Sequence, residues 1–368
     1  MNANFRFAVI SDPHIALAHT VWDNPKRFHL VELSIPAFEQ ILEQLLPLNL
    51  NFLLLPGDLT QHGEFENHAW LIQRLGELPF PAYVVPGNHD IIARDPSAET
   101  IGLADFPRLY EPFGYRDPNQ PYYLQEVLPG VQLIGLNSIA FDHRGQQLEM
   151  GYLDATQLSW LAEILPQLQD QLVMVMVHHN VLEHLPGQTR NPLGRRYMTK
   201  NAPQLLKLLY NTGVQLIFTG HLHVQNIAQH QNLYEITTGS LVSYPHPYRV
   251  IEFCRDGQAQ PSLKVTSNRV KSLPGWPTLQ TTSRQWMSDR SFPFMMKLLT
   301  SPPLNLPTQQ AKILAPDLKD FWPTIAAGDP LFDFSHFPPA PRRYFERFSA
   351  LNPDGQPQLI DNFATLKL

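Results

Sequence analysis

Five short polar motifs carry the residues of this chain that could do chemistry. In sequence order they are Asp12-Pro13-His14, Gly57-Asp58, Gly87-Asn88-His89-Asp90, His178-His179 and Gly220-His221-Leu222-His223. Carboxylate and amide oxygens mixed with imidazole nitrogens are ligands that suit Fe, Mn or Zn. Two such metals held close together can clamp a phosphoryl group and lower the pKa of a water between them. The motifs therefore predict a dinuclear metal site.

Each motif follows a short apolar run that predicts a β-strand. These runs cover residues 5–11, 52–56, 82–85, 172–177 and 214–218. Unbroken apolar runs are typical of strands that are buried on both faces by helices. Ligands of open α/β sheets bind beyond the carboxyl ends of the strands, so we expect the motifs to converge there. If the chain stays extended after the strand, Asp12 and His14 leave from one face, and so do His221 and His223.

Helical patterns alternate with these strands over the first two-thirds of the chain. Apolar residues at helical spacing predict helices at 35–46, 66–75, 154–168 and 203–210. Asp154 is the expected N-cap of the third helix, with Gln157 completing a capping box, and Gly213 can end the fourth. Further strands are expected at 131–137, 233–237, 248–253 and 263–267, with the last three antiparallel, and residues 91–121 are expected to be irregular.

The last hundred residues have a different character. From Val270 onward both prolines and aromatic residues are dense. The prolines argue against long regular elements, whereas the aromatic residues argue against a disordered tail. We therefore predict a catalytic domain over residues 1–270 and an accessory segment over residues 271–368 that packs on the core. This segment could shape the mouth of the site or form a subunit interface.

Composition restricts the classes of function. The chain has 368 residues, of which 43% are hydrophobic and 16% are charged, as in a globular protein. Its net charge of −6 argues against a general nucleic-acid binder. Cys254 is the only cysteine, so neither an internal disulfide nor a cysteine-based metal site can form. The sequence shows no signal-peptide pattern and no apolar run of membrane-spanning length, which predicts a cytoplasmic protein without a membrane span.

The series of motifs resembles that of the calcineurin-like metallophosphoesterase superfamily over about residues 5–270. Gly57-Asp58-Leu59-Thr60 followed by Gly63, together with the stretch 151–161, is similar to the branch of class III cyclic nucleotide phosphodiesterases and glycerophosphodiesterases. This resemblance implies an α/β (α+β) fold, a four-layer αββα sandwich of two mixed β-sheets flanked by helices.

The resemblance also implies a set of ligands for two metal ions, which could be Mn, Fe or Zn. One ion would be held by Asp12, His14 and His223, the other by Asn88, His178 and His221, and Asp58 would bridge the two. His89 would face the substrate, where it either stabilises the charge of the transition state or protonates the leaving oxygen. Asp90 would either orient His89 or cap its loop.

The loop that begins at His178 supplies candidates for substrate contact. They are His179, Arg190, Arg195 and Arg196. Arginine can bind a phosphate through two parallel hydrogen bonds. A solvated surface loop explains the three arginines as well, and a packing role explains the histidine.

The sequence thus predicts a dinuclear metal-dependent phosphodiesterase that uses a metal-bridging hydroxide as its nucleophile. A cyclic nucleotide such as cyclic AMP is the leading substrate, and a glycerophosphodiester is the next. One alternative is a phosphomonoesterase with the same metal site. Another is a metal-containing binding or regulatory protein that presents the accessory segment to a partner. We expect a small-molecule substrate and leave a homo-oligomer open.

Overall fold

Two six-stranded β-sheets form the centre of the computed structural model, which describes residues 4–22, 27–255 and 260–368. The strands are β1 (Phe5–Val9), β2 (Phe52–Leu55), β3 (Ala82–Val84), β4 (Tyr123–Leu128), β5 (Val131–Gly135), β6 (Leu172–Met176), β7 (Leu216–Thr219), β8 (Asn226–His230), β9 (Leu233–Thr237), β10 (Pro247–Cys254), β11 (Ser262–Arg269) and β12 (Phe363–Lys367). The strands expected before the five motifs are therefore confirmed, with ends that shift by one or two residues.

The first sheet has the strand order β12-β11-β10-β1-β2-β3. Strands β1, β2 and β3 are parallel, whereas β10, β11 and β12 add to them in antiparallel fashion. Because the three parallel strands end at the same edge, the segments that carry Asp12, Asp58 and Asn88 begin side by side. This is the arrangement that the sequence predicted for the first three motifs.

The second sheet has the order β4-β5-β6-β7-β9-β8, in which β5, β6, β7 and β9 are parallel. Strands β6 and β7 lead into His178 and His221. The expectation of three antiparallel late strands holds for β10 and β11 and is wrong for β9. The hairpin of β8 and β9 folds β9 back so that it pairs in parallel with β7, in the other sheet.

The helices of the described residues are α1 (Ser34–Leu45), α2 (Phe65–Gly76), α3 (Phe106–Leu109), α4 (Ala155–Ile164), α5 (Pro192–Arg195), α6 (Ala202–Thr212), α7 (Leu279–Thr300), α8 (Thr308–Leu314), α9 (Phe321–Ala326) and α10 (Pro339–Glu346). Helix α1 packs on the first sheet, and α4 and α6 pack on the second. No helix among the described residues has the length and apolarity to cross a membrane.

The two sheets pack face to face around a shared apolar core. Phe7 of β1 and Phe218 of β7 meet edge to face with ring centroids 5.5 Å apart. Both side chains are fully buried. With helices outside each sheet, the order of layers is α, β, β, α, which confirms the predicted sandwich of two mixed sheets.

Helix α4 begins with the predicted cap but without the full capping box. The Asp154 carboxylate accepts the backbone N–H of Gln157 at 2.8 Å. The Gln157 side chain turns instead to the backbone of Asn137, where it accepts one hydrogen bond and donates another, both 2.9 Å long. Gln157 therefore fixes the segment after β5 rather than the start of its own helix.

The accessory segment contains a long helix that the sequence did not lead us to expect. Helix α7 runs for 22 residues with Pro293 inside it. A proline in a helix interior costs about 3 kcal/mol, but Met295, Leu298 and Leu299 are buried against α8 and α9, and this packing offsets the cost. The expectation that prolines exclude long elements here is wrong. The division of the chain at residue 270 stays a prediction, and β12 from the accessory segment joins the first sheet.

Candidate metal centre

The backbone turns sharply at the motifs instead of continuing as extended chain. Five predicted ligands have a left-handed backbone: Asp12 (φ 49°), His14 (44°), Asp58 (49°), His221 (66°) and His223 (58°). Residues other than glycine adopt this conformation rarely and at an energetic cost, and such strain concentrates at functional sites. The argument from alternating faces of an extended strand is therefore wrong in detail, although the turns bring the same side chains together.

Glycines in the motifs allow the ligand segments to approach one another. A Cβ atom on Gly87 would lie 2.1 Å from the backbone nitrogen of Asp58, and one on Gly220 would lie 2.4 Å from Oδ2 of Asp12. Real Cβ atoms do not come this close to backbone or carboxylate atoms. The two glycines are thus required by the contact between neighbouring motifs.

The first group of potential ligands consists of Asp12, His14, Asp58 and His223. One ligand atom from each lies within 4.8 Å of the others. His223 Nε2 is 3.0 Å from Asp12 Oδ1, and His14 Nε2 is 3.8 Å from Asp58 Oδ2. The side chains of Asp12, His14 and Asp58 are buried. Two carboxylates and two imidazoles thus converge on one point.

The second group consists of Asp58, His178 and His221, whose ligand atoms also lie within 4.8 Å of one another. His178 Nε2 is 3.1 Å from Nδ1 of His221 and 3.1 Å from Oδ1 of Asn88. It is 3.4 Å from Oδ2 of Asp58. All seven predicted ligands therefore lie in one cluster, with Asp58 common to both groups. Their role as metal ligands stays a prediction.

The protonation of the cluster fits metal binding. Burial lowers the pKa values of His14 and His221 well below the ordinary histidine value, so both rings are neutral, the form that binds metals. His14 Nε2 is buried without a hydrogen-bond partner among the described residues, which is costly unless a cation satisfies it. His178 Nδ1 lies 2.8 Å from the carbonyl oxygen of Pro56, which holds the ring and leaves Nε2 for the cluster.

Asp58 contributes negative charge to both ligand groups. Burial raises the pKa of its carboxyl group, but His178 and His89 lower it more, so the pKa lies well below its usual range. For His178, burial lowers the pKa, while the Asp58 carboxylate raises it to about 9 overall. The negative charge that stabilises a proton on the His178 ring also attracts a metal cation, and the proton and the metal compete for the imidazole. The donor set thus fits two metal cations.

Asp90 holds two of the motifs together. Its buried carboxylate accepts the backbone N–H groups of Gly87 and Thr60, each at 2.8 Å, and that of Leu59 at 3.1 Å. Burial and the nearby Asp58 raise the pKa of Asp90 to about 7. Of the two alternatives for this residue, these contacts correspond to capping the loop. The partner of the His89 ring is a different group.

His89 is oriented by backbone groups and presents one edge to solvent. Its Nδ1 lies 2.7 Å from the carbonyl oxygen of Gln61, and its backbone N–H donates to Asp58 Oδ1 at 2.8 Å. Its ring meets that of His14 edge to face, with centroids 4.7 Å apart. Because Nδ1 is engaged and the ring is half-buried, Nε2 is the nitrogen that can reach a substrate.

A cavity of about 430 Å³ opens over the cluster. It is bordered by Asp58, Asn88, His89, His221 and His223, and also by Phe28, His29, Gln147, Leu148, Glu149, Arg196, Tyr197, Leu222, Phe294 and Trp322. This volume is typical of sites for small molecules. Phe294 and Trp322 belong to the accessory segment, which therefore contributes one wall of the cavity.

A second cavity of about 170 Å³ lies beside His14, which is one of its lining residues. Trp22, His62, His29 and His89 are among the residues that line it. The His62 ring stacks on that of His89 with centroids 5.2 Å apart. His29 and His89 border both cavities, so the two spaces meet beside the cluster.

The four predicted substrate contacts do not share one location. Arg196 lines the larger cavity, with its guanidinium 4.7 Å from the centre of the Tyr197 ring. Arg190 and Arg195 are exposed and are absent from the lining of both cavities. His179 is buried, with Nδ1 2.8 Å from the Ser138 hydroxyl. The His179 ring lies 4.3 Å from that of His221, which borders the larger cavity. Contact of these four residues with substrate stays a prediction, and Arg196 is the one that lines a cavity beside the cluster.

His29 is a member of the site that sequence reasoning missed. Its ring lies 4.9 Å from that of His14 and 4.7 Å from that of His223. One nitrogen from each of these three histidines falls within 4.8 Å of the others. His29 belongs to no motif and lies in an irregular loop, so only the folded chain reveals its place.

Gln147 was also missed. Its side-chain nitrogen donates to the carbonyl oxygens of Asn88 and Ile91, at 2.7 and 2.9 Å. These bonds hold the segment that carries Asn88 and His89 from the side opposite Asp90. A lone glutamine in a loop carries no pattern that could have identified this role.

Comparisons with known proteins agree with the predicted family and fold. The family model described as calcineurin-like phosphoesterase matches residues 5–225. A 3′,5′-cyclic-nucleotide phosphodiesterase from Nostoc is 26% identical over 208 residues, which are 56% of this chain and 68% of that protein. A probable glycerophosphodiester phosphodiesterase from Arcobacter nitrofigilis is 28% identical over 35% of this chain and 41% of its own length.

One solved structure shows the same fold. A dimetal phosphatase from Danio rerio superposes with a TM-score of 0.57 at 14% identity. The superposition covers 72% of this chain and 96% of that one. At this identity the likeness supports the sandwich fold alone.

Proposed function

The chain belongs to the calcineurin-like phosphoesterase family of metal-dependent phosphoester hydrolases, and from this membership we propose that its substrate is a phosphodiester. A cyclic nucleotide such as cyclic AMP is the leading candidate, because the Nostoc relative is named for that activity. A glycerophosphodiester follows, on the name of the Arcobacter relative.

The observation that carries the proposal is the convergence of seven side chains from five separate segments. We assign Asp12, His14 and His223 to one metal ion, Asn88, His178 and His221 to the other, and Asp58 to both. When bound, two such ions polarise phosphoryl oxygens and lower the pKa of a water molecule. Imidazole and carboxylate ligands suit Mn, Fe or Zn, and the ligand set does not choose among them.

His89 is the residue that we propose to act on the substrate directly. Its Nδ1 is held by the Gln61 carbonyl oxygen, so Nε2 faces the cavity. From there it binds a phosphoryl oxygen or gives a proton to the leaving oxygen, and imidazole suits either role near neutral pH. Asp90 and Gln147 act through the backbone of the loop that carries His89.

The arrangement of the cavities favours a diester over a monoester. A diester carries organic groups on two of its phosphoryl oxygens, so a site for it needs more room beside the phosphorus than a site for a small monoester. His89 borders both the larger and the smaller cavity. A phosphoryl group beside His89 would therefore have space for both ester substituents.

The first test compares two activated esters. Protein stripped with a chelator and reloaded with manganese is assayed on bis(p-nitrophenyl) phosphate and on p-nitrophenyl phosphate, with bound metal measured by mass spectrometry. We expect metal-dependent hydrolysis that favours the diester. Preference for the monoester would instead make the protein a phosphomonoesterase. Two bound metals with no hydrolysis of either ester would favour a binding protein.

A pair of histidine variants tests the assignment of ligands. His223→Ala should lose metal and activity together, because His223 contacts Asp12 at 3.0 Å within the cluster. His143→Ala is the control, since His143 is exposed and does not line the cavities. Unchanged metal content in the first variant would contradict the assignment.

A further inference from the structure

The accessory segment contributes an aromatic surface to the cavity. Phe294 from α7 and Trp322 from α9 lie with ring centroids 5.6 Å apart and planes at 70°. Both are half-buried, and both line the same cavity as Asn88 and His221. We call these two residues, together with Tyr197, the aromatic wall.

The aromatic wall is supported from behind and continuous with the ligand cluster. Its three side chains pack against a buried apolar cluster that includes Leu298 and Phe321. The Tyr197 ring also lies 5.0 Å from the ring of His221. Packing of this kind limits the rotation of large rings, so the wall offers a rigid apolar face beside the metal centre.

An apolar aromatic face is not needed to bind a phosphoryl group. Phosphate is recognised by charges and hydrogen-bond donors, whereas aromatic side chains bind the flat faces of other rings. A glycerol arm is polar and has little apolar surface to bury. The wall therefore matches a planar ring in the organic part of the substrate.

The position of Arg196 favours a neutral ring over a cationic head group as the group that binds to the aromatic wall. Aromatic residues also attract quaternary ammonium groups. Here, however, the guanidinium of Arg196 already lies 4.7 Å above the ring of Tyr197. A second cation on this wall would be repelled, whereas a heteroaromatic ring could stack on the guanidinium as well.

We propose that the aromatic wall binds a planar heteroaromatic ring, such as a nucleobase, carried by the organic part of the substrate diester. This inference rests on the proposed function, because it names the class of diester that the site takes. Phe294 and Trp322 lie outside residues 5–225, so the matched family region does not supply them. The accessory segment thus sets specificity for chemistry that the motifs perform.

A binding experiment tests the wall without requiring turnover. Manganese-loaded protein is titrated calorimetrically with adenosine monophosphate and with ribose 5-phosphate, which lacks the base. From the strength of base–aromatic stacking, we expect the base to improve the affinity by about tenfold or more. Trp322→Leu should remove most of this advantage and leave the affinity for ribose 5-phosphate unchanged. Trp322→Phe should keep most of it.

One control variant and one second test variant complete the binding experiment. Phe292→Leu is the matched control, because Phe292 is 45% exposed on α7 and does not line the cavity. Phe294→Leu repeats the test should Trp322→Leu fail to fold, as judged by circular dichroism. Equal losses for both phosphates in a folded variant, or no loss for either, would overturn the proposal.

Kinetics then separates this inference from the proposed function. The same variants are assayed on cyclic AMP and on glycerophosphocholine. Loss of kcat/KM confined to cyclic AMP in Trp322→Leu supports the wall as a base site. A wild-type preference for glycerophosphocholine that this variant abolishes would show a quaternary ammonium site and refute the proposal. If neither diester is cleaved although bis(p-nitrophenyl) phosphate is, the two candidate substrates fail, and if that ester is not cleaved either, the whole proposed function fails. In both cases the calorimetric result still decides whether the wall binds a base.

Discussion

The ligand cluster and the two residues of the aromatic wall that the accessory segment supplies, Phe294 and Trp322, border one cavity, yet they come from different parts of the chain and are held by different forces. Asp58 and its neighbours are fixed by strained turns and by hydrogen bonds such as those of Asp90. Phe294 and Trp322 are fixed by packing against other apolar side chains. Polar geometry tolerates few residue types, whereas packing accepts many of similar size.

This difference explains why one region has recognisable motifs and the other has none. Each ligand needs a specific donor atom at the end of a specific strand, so the residue types recur at fixed places. The aromatic wall needs only large rings that pack against the apolar side chains next to them. The comparison predicts that substitutions in the cluster will change chemistry and metal binding, whereas substitutions in the accessory segment will change stability and substrate choice.

Asp58→Asn should give the largest effect. Asp58 is the only described residue common to both ligand groups, and metal ions supply several kcal/mol of charge stabilisation, so we expect turnover to fall by about a thousandfold or more. Metal content measured by mass spectrometry should fall with it. Asp95→Asn, at an exposed position, is the control. Full activity in Asp58→Asn would show that this residue is not shared by two metals.

Phe321→Ala should act on stability instead. Phe321 is buried, with the rings of Phe332, Phe345 and Phe348 between 4.8 and 5.3 Å away. Removing a buried phenylalanine ring typically costs about 3–5 kcal/mol of unfolding free energy. Denaturant titration measures this loss, and metal content under native conditions should stay unchanged. Loss of metal at full folding would mean that the two regions are not separable.

His89→Ala should lower turnover by about a hundredfold, as expected for loss of a general acid or an electrostatic contact. Its ring touches the cluster from outside, so the bound metal should remain. Steady-state kinetics and metal analysis on one preparation check both expectations. A drop in metal content would show that His89 is itself a metal ligand. The proposed separation between residues that hold metal and a residue that acts on substrate would then be wrong.

Gln147→Ala should give a smaller effect. It leaves the carbonyl oxygens of Asn88 and Ile91 without their side-chain donor. Outer contacts of this kind typically change metal affinity or activity by about tenfold to a hundredfold, and we expect the lower end. Gln146→Ala is the neighbouring control, because its side chain is exposed. Equal rates in the two variants would show that the Asn88 loop holds its shape without Gln147.

Much of the fold could be predicted from the sequence, because buried strands carry continuous apolar runs. Strands β1, β2, β3, β6 and β7 were expected for this reason. Strands β4, β8 and β12 were not, since each lies at an edge of its sheet and mixes polar with apolar residues. Helix α7 was missed because its packing against α8 and α9 outweighs the proline within it.

The site divides in the same way. The seven expected ligands are brought together, whereas His29, Gln147, Phe294 and Trp322 were missed as neighbours of the cluster. None of these four follows a strand or belongs to a motif. No fixed spacing in the sequence links them to the ligands, so their position could not be predicted. Arg190 and Arg195 were candidates for phosphate binding or for a solvated surface loop, and both side chains are exposed and absent from the lining of the two cavities.

The sequence by itself determined which donor atoms this protein possesses and at which strand ends they occur, since carboxylate, amide and imidazole groups follow recognisable apolar runs. The tertiary structure alone decided which rings face those donors and how much room a substrate has. The physical reason is that metal ligands are set by local turns next to each strand. The cavity arises from long-range packing, in which residues such as Trp322 meet the cluster only after both sheets and the accessory segment have assembled.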